Sequence, residues 1–232
     1  ILTLILVLWI QVREKRKRLK YFAWTALGMV AAQALLGGLT VVLMLPALVS
    51  IAHACLAQTF FCALIGLSYF LSPLAAQKSS LLTSEEGISR LRRLLTMTTV
   101  FIYGQLILGA TVRHTQWIGP LAAHIMIAFV VLVHVLLIVL RTARLREDFA
   151  LKNENALDDL GPLFNALRRF GLGLGVMTIC QIFLGMGAFI FTQMLAGGYS
   201  PSSGEVFFTV AHQTTGAVIL GITFFMTLTV WR

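Results

Sequence analysis

Apolar residues run along this chain in long blocks separated by short polar stretches, without the period-two alternation of a half-buried strand. A helix needs roughly 20 mainly apolar residues to cross a hydrocarbon layer about 30 Å thick. Blocks of that length predict six spans, at 22–45, 48–72, 95–112, 120–141, 169–194 and 206–231. Residues 1–12 are apolar but too few to cross, and read as the tail of a further helix; the charges follow this run instead of preceding it, so it is no signal peptide. The stretch Leu157 to Phe170 reads as a short surface helix that anchors at the membrane interface. The pattern defines an all-α integral membrane protein of about six full spans plus a partial N-terminal one.

A phrase recurs within this pattern. Gln-x-x-Leu-Gly stands near the end of one apolar helix and Ala-His early in the next: Gln33, Leu36, Gly37 then Ala52-His53; Gln105, Leu108, Gly109 then Ala123-His124; Gln181, Leu184, Gly185 then Ala211-His212. A triplicated hairpin with one histidine per copy at one depth suits a bundle that grips a flat metal cofactor. In each copy the histidine precedes the far end of its helix by about 17–20 residues, an interval estimated from the spans above. The same offset applied to the helix ending near Arg13 places a fourth histidine before Ile1. The expectation is an additional N-terminal hairpin and eight spans in two four-helix halves. Residues 1–72 would then be an incomplete first half, 73–94 a cytoplasmic linker, and 95–232 the second half.

Composition agrees with a membrane protein: 58% of residues are hydrophobic and 12% charged, and the mean hydropathy is +0.89. The net charge of +9 would suit a nucleic acid, but its layout does not. Six Lys and Arg lie between Arg13 and Lys20, four in 73–94 (Lys78, Arg90, Arg92, Arg93), six between Arg141 and Arg169, and Arg232 ends the chain. Arg113 alone falls on the other side. The positive-inside rule puts the basic loops in the cytoplasm, hence a bacterial inner membrane (a mitochondrial inner membrane second), with the histidines towards the outer side and no nucleic-acid partner. Cys55, Cys62 and Cys180 all lie in apolar helices, so no disulfide framework is suggested.

A polar side chain inside a membrane helix is costly and by default a functional candidate. One such histidine would be as well explained by a hydrogen bond between helices. Three in register, behind the same phrase, point to ligation. Zinc needs three or four N, S or O donors converging on a point, and these helices carry no Asp, Glu or Cys at that depth. Haem needs only one or two axial imidazoles and a flat apolar slot. Gly37, Gly38, Gly109, Gly185 and Gly187 would let helix backbones approach the ring, or simply serve close helix packing. Gln33, Gln105 and Gln181 would orient an imidazole or a propionate, or only bond between helices. Arg113 and His114 stand at the outer boundary, where Arg113 either anchors the helix or pairs a propionate carboxylate. His134 lies ten residues beyond His124 on another face and reads as polar packing. Apart from Arg141 and Arg169, the terminal residues of their spans, no acidic or basic residue falls inside a predicted span, which argues against an ion or proton pathway.

These phrases resemble the haem A synthase family. The match rests on Gln33-Ala-Leu-Leu-Gly-Gly-Leu-Thr-Val41 with His53 twelve residues later, on Gly109-Ala-Thr-Val-Arg-His-Thr115 followed by His124, and on Ala211-His212. It extends over nearly the whole chain, and Gly-Ala-x-Val-Arg-His-Thr is its most specific part. The resemblance implies a pseudo-twofold pair of four-helix transmembrane bundles, the first incomplete here, with haem pockets towards the outer face. It implies oxidation of a methyl group of haem O to a formyl group, giving haem A. His124 and His212 would be the axial pair of a haem b, with Arg113, His114, Gln105 and Gln181 around it. His53 would be one of two histidines at the substrate haem. The second, with a catalytic glutamate three residues before it, would precede Ile1, so the chain as given should be inactive by itself. Haem O would come from a haem O synthase, the surroundings would be membrane lipid, and a homo-oligomer would be compatible; the electron-transfer partner is not named by these residues. The loop Arg113 to Pro120 carries no cysteine, unlike that of some relatives. Two rivals share the same ligands: a b-type bis-histidine cytochrome that only moves electrons, and a haem-binding oxidase assembly factor.

Overall fold

The computed structural model describes residues 1–76, 86–150, 157–195 and 200–231. Its elements are α1 (Leu2–Arg13), α2 (Lys17–Val42), α3 (Ala47–Leu71), α4 (Pro73–Ala76), α5 (Glu86–Thr115), α6 (Ile118–Ala150), α7 (Leu157–Phe189) and α8 (Ser203–Val230). A π-helical turn, Ile190–Met194, prolongs α7. No strand occurs among the described residues. Six helices (α2, α3 and α5 to α8) are long and apolar enough to cross a membrane. Helices suit this setting because every backbone N–H finds its partner within the same segment.

The spans run longer at the basic end than the hydropathy blocks suggest. α5 begins at Glu86, not near 95, and α6 continues to Ala150, not 141. The surface helix expected at 157–170 does not stand apart. It is the first part of α7, which passes through Arg168, Arg169 and Gly171 without a break. Packing overrides the weak helix propensity of the glycines: Gly171 lies against the Thr142 side chain, and a Cβ on Gly175 would stand 3.1 Å from Val139 Cγ2, so α6 and α7 meet closely there.

The turn between α1 and α2 is closed by charge. The Glu14 carboxylate accepts from the backbone N–H groups of Lys15 and Arg16, both at 2.9 Å, and pairs with the Arg16 guanidinium at 2.7 Å. The Arg16 side chain, then the backbone donors, hold the Glu14 carboxyl at about 2, below its usual 4.5. A depressed carboxyl favours the folded turn above its ordinary pKa, and that contribution fades as pH falls from about 4.5 towards 2. Val7 and Ile10 of α1 bury against Ala23 and Leu67, with Leu6, Phe22, Leu27 and Leu71 around them.

The α2–α3 turn is strained. Met44 (φ 59°) and Leu45 (φ 61°) both lie in the left-handed region although neither is glycine. The turn still closes a bond from Leu45 N–H to the Thr40 carbonyl at 2.7 Å. Left-handed backbone costs an L-residue on the order of 1–2 kcal/mol, which glycine avoids at a smaller entropic loss. Leu45 is 65% exposed, so little packing is lost by trimming it. Leu45→Gly should therefore stabilise the protein by up to about 1 kcal/mol, read as a higher unfolding midpoint in detergent; a midpoint at or below that of Leu45→Ala refutes the strain.

Contacts divide the chain into two compact units, Ile1–Ser79 with Tyr103–Ile127 and Arg232, and Ser80–Ile102 with Ala128–Trp231. In the first, Tyr103 ties α5 to α3: its hydroxyl lies 2.6 Å from Thr59 Oγ1 and donates to the Cys55 carbonyl at 3.3 Å. In the second, α8 is the most enclosed span, half of its most apolar stretch being buried against 11–17% for the other five. Arg92 Nε donates to the Val230 carbonyl at 3.0 Å while its guanidinium lies 4.9 Å from the Trp231 ring centroid, closing the end of α8. The buried hydroxyls of Thr98, Thr142, Thr178, Thr223 and Thr229 each donate to the carbonyl four residues earlier, so none is left without a partner in the apolar interior.

Candidate functional site

Each histidine is fixed within its own hairpin. In α2–α3, Gln33 and Gly37 are one turn apart and face α3 together. The Gln33 amide nitrogen donates to the His53 carbonyl at 3.0 Å and stands 3.5 Å from His53 Nε2. The imidazole lies on the bare backbone of Gly37, where a Cβ would come within 3.0 Å of its Cε1. In α5–α6 the arrangement recurs: a Cβ on Gly109 would stand 3.2 Å from His124 Cε1. In α7–α8 it is tightest, with a Cβ on Gly185 falling 2.8 Å from Cε1 and 3.1 Å from Nδ1 of His212. Gln181 stands 3.4 Å from His212 Nε2 through its amide nitrogen, and its backbone carbonyl lies 3.2 Å from Nδ1.

The last pair of contacts fixes the proton. A carbonyl can only accept, so Nδ1 of His212 carries the hydrogen, and Nε2 of the neutral ring is left with a lone pair. That is the tautomer a metal-binding imidazole needs, with the carbonyl holding the ring's orientation. The oxygens Oε1 of Gln33, Gln105 and Gln181, and Nδ1 of His53, are buried without a hydrogen-bond partner. Buried polar atoms in that state point to a polar group that the protein alone does not supply.

Of the two purposes open for the glycines, the structure shows close packing between helices. Gly37, Gly109 and Gly185 are covered by the imidazoles and Gly187 by Phe208, so only Gly38 of the five has open space above it. The phrase Gln-x-x-Leu-Gly therefore seats a histidine. Arg113 and His114 are exposed in the last turn of α5, where the Arg113 charge also complements the helix C-terminus. His134 stays apart from the repeated motif. Its Nδ1 lies 2.8 Å from the Val130 carbonyl and its ring packs edge-on to Phe101 at 5.1 Å. Among the described residues no three His, Cys, Asp or Glu side chains gather at one point, and each copy of the repeated motif offers a single imidazole. Sequence reasoning did not single out Phe191 and Phe208, which stack 5.3 Å apart near His212; phenylalanines in an apolar helix carry no signal of their own.

Six apolar spans and a thrice-repeated Gln–Gly–His hairpin define a multi-pass membrane protein with half-buried imidazoles. The profile of the family described as COX15-CtaA, cytochrome oxidase assembly protein, matches residues 1–119. The chain belongs to this haem A synthase family, and its role is in cytochrome oxidase assembly. No curated protein and no solved structure matches it.

Proposed function

We propose that the protein is a haem A synthase, an oxidoreductase that oxidises a methyl group of haem O to the formyl group of haem A. The observation that carries this reading is His212, with Nδ1 against a backbone carbonyl and Nε2 left as the base. These residues fit a haem: the imidazole of each repeated motif would hold its iron, and the apolar spans would keep the setting poor in water. Bound haem would supply the electron and oxygen chemistry, which no side chain here performs.

What the chain's own residues do can be assigned. His124 and His212 would ligate a resident haem b, their pairing on one iron resting on the family resemblance, and His53 would ligate the substrate haem. Arg113, with His114 beside it, would pair a propionate at the end of α5, and Gln105 and Gln181 would flank the ligands. The Gln33 and Gln181 amides stand at Nε2 of their histidines, the atom iron would take, so ligation requires each amide to turn aside. The natural setting is a bacterial inner membrane with these groups towards the outer side, haem O arriving from a haem O synthase.

That geometry gives an outcome a generic packing role does not. Losing a weak neutral hydrogen bond costs about 0.5–1 kcal/mol. Gln181→Leu should therefore keep haem and bind it roughly two- to fivefold more tightly, as measured by haem titration of the purified protein. Loss of haem in that variant would show that the side chain is needed for ligation itself.

Pigment extraction tests the function. The full-length protein, expressed with a supply of haem O, should yield haem O or haem A beside haem b. Haem b alone would replace the proposal with an electron-carrying cytochrome, and haem O that is bound and never oxidised with an assembly factor.

A further inference from the structure

Ser50 is the exception among the buried hydroxyls. It is only 5% exposed, and its Oγ has no hydrogen-bond partner. Thr98, Thr142, Thr178, Thr223 and Thr229 all bond the carbonyl four residues earlier, whereas Ser50 makes no such bond to Pro46. A buried hydroxyl left open is costly and calls for a reason.

Three residues further along α3 stands His53, on the same face and with Cβ atoms about 5–6 Å apart at that spacing. Helical side chains lean back over the turn before them, so the imidazole leans towards Ser50. Nδ1 of His53 is buried and also without a partner. The Gln33 amide nitrogen, which donates to the His53 carbonyl at 3.0 Å, stands 3.5 Å from Nε2. An amide nitrogen can only donate, so Nε2 accepts and the hydrogen of the neutral ring lies on Nδ1. One turn of α3 thus carries a buried donor and a buried hydroxyl able to accept, and neither is satisfied. Gln33 Oε1 is open too, but its amide stands at the Nε2 edge of the ring.

The other copies differ at this position. Counting from the histidine, Leu121 and Thr209 stand where Ser50 does. Leucine has no hydroxyl to offer, and Thr209 donates to the Glu205 carbonyl at 2.7 Å. His212 needs no such neighbour, because the Gln181 carbonyl lies 3.2 Å from its Nδ1. Among the described residues, only the first copy sets an open hydroxyl beside an open Nδ1.

We infer that Ser50 positions His53 for ligation, its Oγ accepting from Nδ1–H once iron takes Nε2 and the Gln33 amide turns aside. The inference rests on the haem reading above. A metal-bound imidazole almost always donates its other N–H to an acceptor, which fixes the ring and raises its basicity. In the third hairpin a backbone carbonyl has that task; in the first it falls to a side chain that stays unsatisfied until haem arrives. Ser50 is a positioning residue and touches neither the iron nor the reacting methyl group.

The test is titration of haem O into purified full-length protein that already holds haem b. Ser50→Ala should weaken haem O binding about 10- to 100-fold. Before haem O is added, the same variant should unfold at or above the wild-type midpoint, because it loses a buried hydroxyl that had no partner. Ser50→Thr keeps a hydroxyl and should recover most of the affinity. Unchanged affinity in Ser50→Ala, or no recovery in Ser50→Thr, overturns the inference and leaves the haem reading intact. A lowered midpoint in Ser50→Ala before haem O is added overturns it as well, by showing that the serine is structural. Wild-type protein that binds no haem O overturns the haem reading at His53, and the role of Ser50 with it.

Discussion

His212→Ala should abolish the low-spin haem b absorption, and His124→Ala should do the same, while His53→Ala should leave that spectrum in place and stop conversion of haem O. Loss of even a residue that supports a metal ligand typically costs 10- to 100-fold in affinity, so losing an axial imidazole itself should cost more than about 100-fold. The contrast between the variants is what makes the experiment decisive. All three histidines sit on a glycine of their own hairpin, so a purely structural role predicts similar consequences for each. Difference spectra of the reduced protein, taken with equal amounts of folded material, read the result directly. Retention of the band in both His124→Ala and His212→Ala refutes the assigned pair.

The second large effect comes from the glycines beneath the rings. A methyl group added to Gly185 would stand 2.8 Å from Cε1 and 3.1 Å from Nδ1 of His212, closer than real contacts allow. The ring would have to turn, and the bond from Nδ1 to the Gln181 carbonyl would be lost. Overpacking of this kind costs typically 1–3 kcal/mol. Gly185→Ala should therefore both lower the unfolding midpoint and displace the ligand. Gly37→Ala, with 3.0 Å to His53, should be milder. Gly109→Ala, with 3.2 Å to His124, should be nearly neutral, because a gain in helix propensity of up to about 1 kcal/mol offsets a small adjustment. Thermal unfolding of the three variants checks the order. A Gly185→Ala protein as stable as wild type shows that the ring is not seated as described.

Much of this was legible in the chain. Six apolar blocks fix six helices because a membrane rewards length and hydropathy and little else. The pairing of each histidine with its hairpin was legible for a different reason: the phrase occurs three times, and the structure seats each histidine on the glycine of its own copy. What the glycines do was not legible. The same small residue serves a backbone that approaches a porphyrin and one that carries an imidazole, and only the relative rotation of two helices tells them apart. The continuation of α7 through Arg168 and Gly171 was hidden likewise, since the contacts that hold it come from Thr142 and Val139 on α6. Nor does Met44-Leu45 announce a left-handed turn, because the residues that usually mark one are absent. The stacking of Phe191 on Phe208 was hidden too, since phenylalanines in an apolar helix carry no signal of their own.

The measurement closest to the central claim is pulsed electron paramagnetic resonance of the ferric protein with its histidines alone labelled with ¹⁵N. Ligation by the hairpin imidazoles predicts that the nitrogen couplings to iron change on labelling, and that this change disappears in His212→Ala. Couplings identical in labelled and unlabelled protein would mean that no histidine touches the metal, and the account would be wrong at its root.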